Sequence, residues 1–305
     1  MSTIEKALAK QKSKSQIEVT SEQNAEVIQN SPQEAVEKAT ETQPVTKPIS
    51  ASPAIKNNSV NQDILHIDTE DLTNRGYLID NGTRNSIKDE FRQIKRKLLN
   101  NAFGKAAKTL NNPNLIMVSS SKPHEGKTFV SINLALSVAH EQDKTVLLID
   151  ADVLRPSVTR ELGLPESQRG LIEYLLGETD DVGDIIYNTN IDKLKIVPAG
   201  EPHHLSNELL SSGKMAALAK ELAERYPDRV VIFDCPPLVG VSETLVLANL
   251  MGQAIVVVEE SKTAIADVQK ATEALNENLA VGLVVNKAIR THKDMYGYYG
   301  YGYES

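Results

Sequence analysis

The chain has 305 residues, 40% of them hydrophobic, enough apolar material for the core of one large domain or two small ones. A formal charge of -8 works against a general electrostatic grip on nucleic acid, and no apolar run of about 18 residues is present to cross a membrane. Residues 1–14 mix charged and small types without the apolar stretch of a secretion signal, and the single cysteine, Cys235, excludes an internal disulfide framework. Both features point to a cytoplasmic protein.

Residues 1–76 contain no aromatic side chain and are rich in Gln, Glu, Lys, Ser, Asn and Thr. Ordering entropy outweighs burial in such a segment, so it reads as a largely disordered arm. Ile4, Ala7 and Leu8 allow one short helix near its start. Over residues 86–101 the spacing of Ile87, Phe91, Ile94, Leu98 and Leu99 predicts an amphipathic helix, with Arg92, Lys95, Arg96 and Lys97 on its polar face.

Six short apolar runs follow, at 115–118, 146–149, 194–197, 230–233, 254–258 and 281–285, and each reads as a strand buried on both faces. Segments 127–140, 206–225 and 262–276 between them are long enough for crossover helices. The alternation predicts an α/β fold with a doubly wound, mostly parallel sheet over residues 77–290. Residues 291–305 form a separate tail.

Chemistry enters after the first strong strand. The run Ser121-Lys122-Pro123-His124-Glu125-Gly126-Lys127-Thr128, continued by Phe129, opens a helix and fits the phosphate-loop pattern G-x-x-x-x-G-K-[ST] except that Ser121 stands for the leading glycine. A turn at a helix N-terminus aims free N–H groups at a phosphate. Lys127 adds a charge for the terminal phosphates and Thr128 a hydroxyl for Mg²⁺. Asp150 and Asp152 end the second strand two residues apart and so face the same way, and Asp234 ends another strand before Pro236 and Pro237. Carboxylates at strand ends often only cap the next helix. With the lysine loop they compose a nucleotide and Mg²⁺ site.

These three segments resemble the Walker A, A′ and B motifs of the bacterial tyrosine kinases, a branch of the deviant-Walker P-loop ATPases associated with exopolysaccharide export. Ile4-Glu5-Lys6-Ala7, Pro198-Ala199-Gly200, Asn207-Glu208-Leu209-Leu210 and Asn286-Lys287-Ala288 are similar to the subgroup from exosortase-linked (PEP-CTERM) loci. The resemblance implies ATP and Mg²⁺ as cofactors, Asp150 and Asp234 around the metal, and Asp152 as the base for a tyrosine hydroxyl. It implies a homo-oligomeric ring, an inner-membrane polysaccharide co-polymerase that recruits and activates the protein, and a protein-tyrosine phosphatase that reverses the modification. Asp89, Arg92 and Lys95 resemble the family's E-x-x-R-x-x-R oligomerisation motif, altered at both outer positions.

The tail then acquires a meaning. Residues 296–303 read Tyr-Gly-Tyr-Tyr-Gly-Tyr-Gly-Tyr and hold five of the nine tyrosines, Tyr296, Tyr298, Tyr299, Tyr301 and Tyr303. Alone they read as a sticky low-complexity end. Beside a kinase-like site they read as phosphoacceptors, and the stretch from Thr291 to Tyr303 spans up to about 40 Å when extended, enough to enter a neighbouring subunit.

Some positions depart from the family pattern. The arginine usual two residues after Asp152 is replaced by Leu154, with Arg155 one place later. Lys122 occupies the place where partition and site-selection ATPases carry a lysine that reaches across a dimer, which keeps a non-kinase switch ATPase as the alternative. Asn286-Lys287 resembles the start of a guanine-binding N-K-x-D motif, but Ile289 stands where its carboxylate belongs, favouring ATP. His124, His203 and His204 lack metal-like spacing, and Cys235 reads as a small core residue.

Overall fold

The computed structural model describes residues 64–79 and 86–289. The expected helix near residue 4 and all five tail tyrosines lie outside them. From the first described residue the chain runs along the edge of the sheet. Leu65 and Ile67 bury their side chains, and the Asn190 side chain accepts from Ile67 N–H at 2.8 Å and donates to its carbonyl at 3.0 Å. Helix α1 (Thr69–Asn74) follows, capped by Asp68, whose carboxylate accepts from the N–H groups of Glu70 and Asp71. Leu72 is buried on its inner side, and Leu78 N–H donates to Asn133.

The expected arm is therefore corrected over 64–76. Its three buried apolar residues, Leu65, Ile67 and Leu72, are too few to order a segment alone. They suffice when the core surface they cover is already formed, because each then buries fully for the entropy of a short strap.

Helix α2 (Ser86–Phe103) buries Phe91 and Leu98 as its apolar stripe predicts, and Ala102 beyond it. Lys95 is a correction, because it is buried with that stripe and not displayed with the polar face. Its alkyl stem lies over the core and its ammonium meets Glu141 at 2.6 Å and the Ser137 carbonyl at 3.0 Å. Ser137 lies in the last turn of α3 (Lys127–Ala139), where carbonyls lack helical partners, so a cation there satisfies an open acceptor.

The sheet has seven strands in the order β3-β4-β2-β5-β1-β6-β7. They are β1 (Leu115–Ser120), β2 (Thr145–Asp150), β3 (Tyr187–Asn188), β4 (Leu194–Val197), β5 (Arg229–Asp234), β6 (Gln253–Glu259) and β7 (Ala280–Asn286). All pair in parallel except the short edge strand β3, which has too few residues to show a period. Alternate residues of the central strands enter two cores. Ile116, Val118, Leu148 and Ile232 pack with α2, α3 and the strap, whereas Met117, Leu147, Ile149 and Phe233 pack beneath the helices of the other face.

Helix α4 (Val158–Glu161) lies on the α3 side, and the other face carries α5 (Leu171–Leu176), α6 (Ser206–Leu210), α7 (Gly213–Arg225), α8 (Ser242–Ala248) and α9 (Ile265–Glu273). The segment 206–225 is two helices, not one. Ser212 caps the second through a bond from Met215 N–H at 3.2 Å, and Gly213 follows it. Strand β7 also differs from expectation. Val281, Leu283 and Val285 share a face and are 42%, 55% and 58% exposed, because β7 is an edge strand beyond the reach of α9. Apolar content marked it as a strand but not its place in the sheet.

Candidate active site

The parallel strands β1, β2 and β5 end side by side, with Val118 opposite Asp234 and Asp150 opposite Asp234 in the pairing register. A crevice at the carboxyl ends of such strands is where this architecture binds ligands. The chain leaves β1 through residues 121–126 and enters α3 at Lys127. Gly126 makes that entry with φ +94°, and a Cβ there would lie 2.0 Å from the Asn286 amide nitrogen, so only glycine fits.

The loop is held from behind. Glu125 is buried and its carboxylate accepts from the Ser121 hydroxyl, from Lys122 N–H at 2.8 Å and from the Thr263 hydroxyl. The Asn286 amide donates to the Glu125 carbonyl at 2.9 Å, and Lys287 donates to the His124 carbonyl at 2.7 Å while pairing with Glu259 at 2.9 Å. Serine in place of the leading glycine thus serves the structure, since its hydroxyl ties the start of the loop to Glu125. Glu125→Ala is expected to weaken ATP binding about 10-fold or more, the usual consequence of losing charge-assisted bonds that shape a loop. Isothermal titration with ATP checks this, and an unchanged Kd would remove Glu125 from that role.

In front of the loop the predicted side chains converge. The Lys127 ammonium lies 2.7 Å from Asp152 and 3.7 Å from Asp234. Thr128 donates to Asp234 at 2.7 Å and shares a hydrogen bond with Ser157 at 2.7 Å, and Ser131 donates to the other Asp234 oxygen at 3.0 Å. Asp150 accepts from Ser157 N–H and Val158 N–H, each at 2.9 Å, and from Asp152 N–H at 3.2 Å.

Asp150 and Asp234 are fully buried. Burial and the neighbouring Asp234 push the Asp150 carboxyl up to about 7, against the pull of the Val158 and Ser157 N–H donors. Burial also raises Asp234, although Lys127, Thr128 and Ser131 oppose it. Burial disfavours the Lys127 ammonium, but Asp234, Asp152 and Asp150 together outweigh that and raise its pKa. The Cys235 thiol is buried and raised well above its ordinary range, as a core residue should be.

A cavity of about 980 Å³ opens over this cluster, lined by Pro123, His124, Gly126, Lys127, Thr128 and Phe129 of the loop and α3 and by Asp152. Ser121, Lys122 and Glu125 do not line it. The Lys122 ammonium instead pairs with Asp267 on α9 at 2.5 Å, which engages it within its own chain. Of the oligomerisation triple, Asp89 and Arg92 pair on the surface of α2 at 2.5 Å while Lys95 is enclosed as described.

The donor set is hard oxygen from carboxylates and hydroxyls, the chemistry that suits Mg²⁺. No three Asp, Glu, His or Cys groups among the described residues close on one point, so an ion here takes other ligands from phosphate and water. The residues present fit the ion on those terms.

Several site residues carry no motif signal. Ser131 is one turn after Lys127 on the same helix face, and Ser157 lies just beyond the Asp150 segment. Arg75 and Tyr77 come from the strap, where Tyr77 stacks near Phe129 with ring centroids 5.1 Å apart and donates to Glu161 at 2.9 Å.

Fold and site together define a P-loop nucleotide-binding ATPase, and a family described as an AAA domain matches residues 113–285, more than half of the chain. The chain belongs to the bacterial tyrosine kinases within that class. It is 35% identical over 188 residues to the tyrosine-protein kinase YwqD of Bacillus subtilis (strain 168), covering 61% of this chain and 77% of that protein. It is 33% identical over 173 residues to the tyrosine-protein kinase ptk of Acinetobacter johnsonii, covering 57% of this chain but 22% of that longer protein. The crystal structure of the VpsO (VC0937) kinase domain superposes with a TM-score of 0.54 at 27% identity, over 67% of this chain and all of the other. No helix among the described residues is long and apolar enough to cross a membrane.

Proposed function

We propose that this kinase transfers the γ-phosphoryl group of ATP to tyrosines of its own tail, Tyr296, Tyr298, Tyr299, Tyr301 and Tyr303, within a homo-oligomer. The observation that carries the reading is the contact of Lys127 with both Asp152 and Asp234 at the N-terminus of α3. One place then offers phosphate-binding N–H groups, a cation and a carboxylate base.

The N–H groups of residues 126–128 and Lys127 hold the β- and γ-phosphates. Asp152 takes the phenolic proton as the phenol oxygen bonds to the γ-phosphorus and the bond to the β,γ-bridging oxygen breaks, releasing ADP. A phenol has a pKa of about 10 and gives up its proton late, so position matters more than basicity for this group. Thr128, Asp150 and Asp234 would hold Mg²⁺, which when bound neutralises charge on the transferring phosphate. Asp150 itself is fixed by backbone donors and keeps the Asp152 backbone in place through its N–H.

The resemblance to exosortase-linked kinases supports a role in exopolysaccharide chain length and export. On that reading the protein is recruited to the inner membrane by a co-polymerase and reset by a phosphatase. The exposed Arg92 on α2 is the contact for a neighbouring subunit. Lys95 has no part in it. ATP is preferred to GTP because Ile289 brings no carboxylate to the segment after β7.

Incubating the protein with Mg·ATP or Mg·GTP and mapping phosphotyrosine by mass spectrometry tests this. Modified residues between 296 and 303 with ATP are expected. No phosphotyrosine with either nucleotide would overturn the reading.

A further inference from the structure

The cavity is lined by more than a nucleotide site. From Asp152 its lining follows the chain through Leu154, Arg155, Pro156 and Ser157 to Arg160 and Glu161, and the strap adds Arg75 and Tyr77. Charge is unevenly matched along this stretch. The Glu161 carboxylate is taken by Arg75 and by the Tyr77 hydroxyl, and Asp71 also pairs with Arg75. Asp152 is taken by Lys127 and by the backbone N–H of Arg155. No carboxylate among the described residues pairs with the guanidinium of Arg155 or of Arg160, and both residues are exposed at the cavity.

The same lining also offers apolar surface. Leu154 is 51% exposed, Pro156 follows, and the Tyr77 and Phe129 rings lie close by. Guanidinium groups beside apolar surface match an aryl phosphate, whose ring packs while its three oxygens accept forked bonds. The triphosphate does not need this stretch, because residues 126–128 already meet it. An aryl phosphate is also the product made in this cavity.

The tail supplies the spacing. Tyr299, Tyr301 and Tyr303 alternate with glycine, as do Tyr296 and Tyr298. In an extended backbone, residues two apart face the same way at about 7 Å, and the glycine between them has no side chain to obstruct the cavity. A tyrosine next to Asp152 therefore brings its neighbour toward Arg155 and Arg160.

We propose that Arg155 and Arg160 form a phosphotyrosine subsite, which holds an already modified tyrosine two positions from the one receiving phosphate. This rests on the acceptor role of the tail. Each transfer then strengthens the hold on the same segment and favours the next.

The test compares two labelled peptides of residues 296–305, one unmodified and one carrying phosphotyrosine at 301. Fluorescence anisotropy is read against the full chain saturated with Mg·ADP. The phosphopeptide is expected to bind about 10-fold tighter or more, with Arg160→Gln and Arg155→Gln each cutting that preference to below about 3-fold and Arg160→Lys retaining part of it. Equal binding of the two peptides by the unaltered protein would overturn the subsite. So would a preference that survives the double replacement, or phosphopeptide binding that releases Mg·ADP. A protein that makes no phosphotyrosine yet prefers the phosphopeptide would instead count against the kinase reading alone.

Discussion

Lys127→Met is expected to lower phosphotyrosine formation at least about 100-fold, measured as labelled phosphate incorporated from ATP. The substitution keeps the apolar stem and removes a charge that meets Asp152 at 2.7 Å and Asp234 at 3.7 Å. Two effects add. The terminal phosphates lose their cation, and three carboxylates, two of them fully buried, lose the one that offsets their repulsion. The second effect predicts that the variant melts at lower temperature and that millimolar Mg²⁺ restores part of the loss. A circular dichroism melt separates a collapsed fold from a disabled site. Persistent phosphotyrosine in a folded Lys127→Met protein would sink the assigned role.

Asp152→Asn gives the second large effect. The amide keeps the shape, can still accept the Arg155 N–H bond and cannot take a proton. Transfer is expected to slow by about 100- to 10,000-fold, the range for removing a positioned base. ATP affinity should move far less, within about 3-fold, since the phosphates are met by residues 126–128 and not by this carboxylate. Single-turnover transfer and nucleotide titration on the same preparation report the two quantities separately. A variant with normal transfer would take Asp152 out of the chemistry.

The central sheet was legible because strands buried on both faces have to be written as continuous apolar runs, and β1, β2, β5 and β6 are. Strand β7 carries the same run at an edge, so composition could not tell an open face from a covered one. The strap was hidden for a related reason. Leu65, Ile67 and Leu72 are too few to set up a local period, and they are buried in a cluster built from distant parts of the chain. Lys95 misled because charge was read as exposure, while its long stem lets it lie over the core and still reach Glu141.

The catalytic cluster was legible to the extent that spacing carries geometry. Lys127 and Thr128 open a helix, Asp150 and Asp152 share a strand direction, and Asp234 ends the neighbouring strand, so their approach follows from a parallel sheet. What spacing does not encode is support. Glu125, Thr263, Asn286 and Lys287 come from three separate elements and meet only behind the folded loop. Arg75 arrives from a segment whose composition looks unstructured, and Tyr77 from its very edge.

That last arrangement bears on how the protein can be shortened. A chain begun at Tyr77, the boundary that composition favours, would keep every strand and all three Walker-like motifs. It would also strip the plugs from the sockets filled by Leu65, Ile67 and Leu72, wetting apolar surface that is now dry. Glu161 would lose its Arg75 partner at the mouth of the catalytic chamber. Such a trimmed enzyme should aggregate readily and bind its acceptor poorly, while its sequence still scored as an intact kinase.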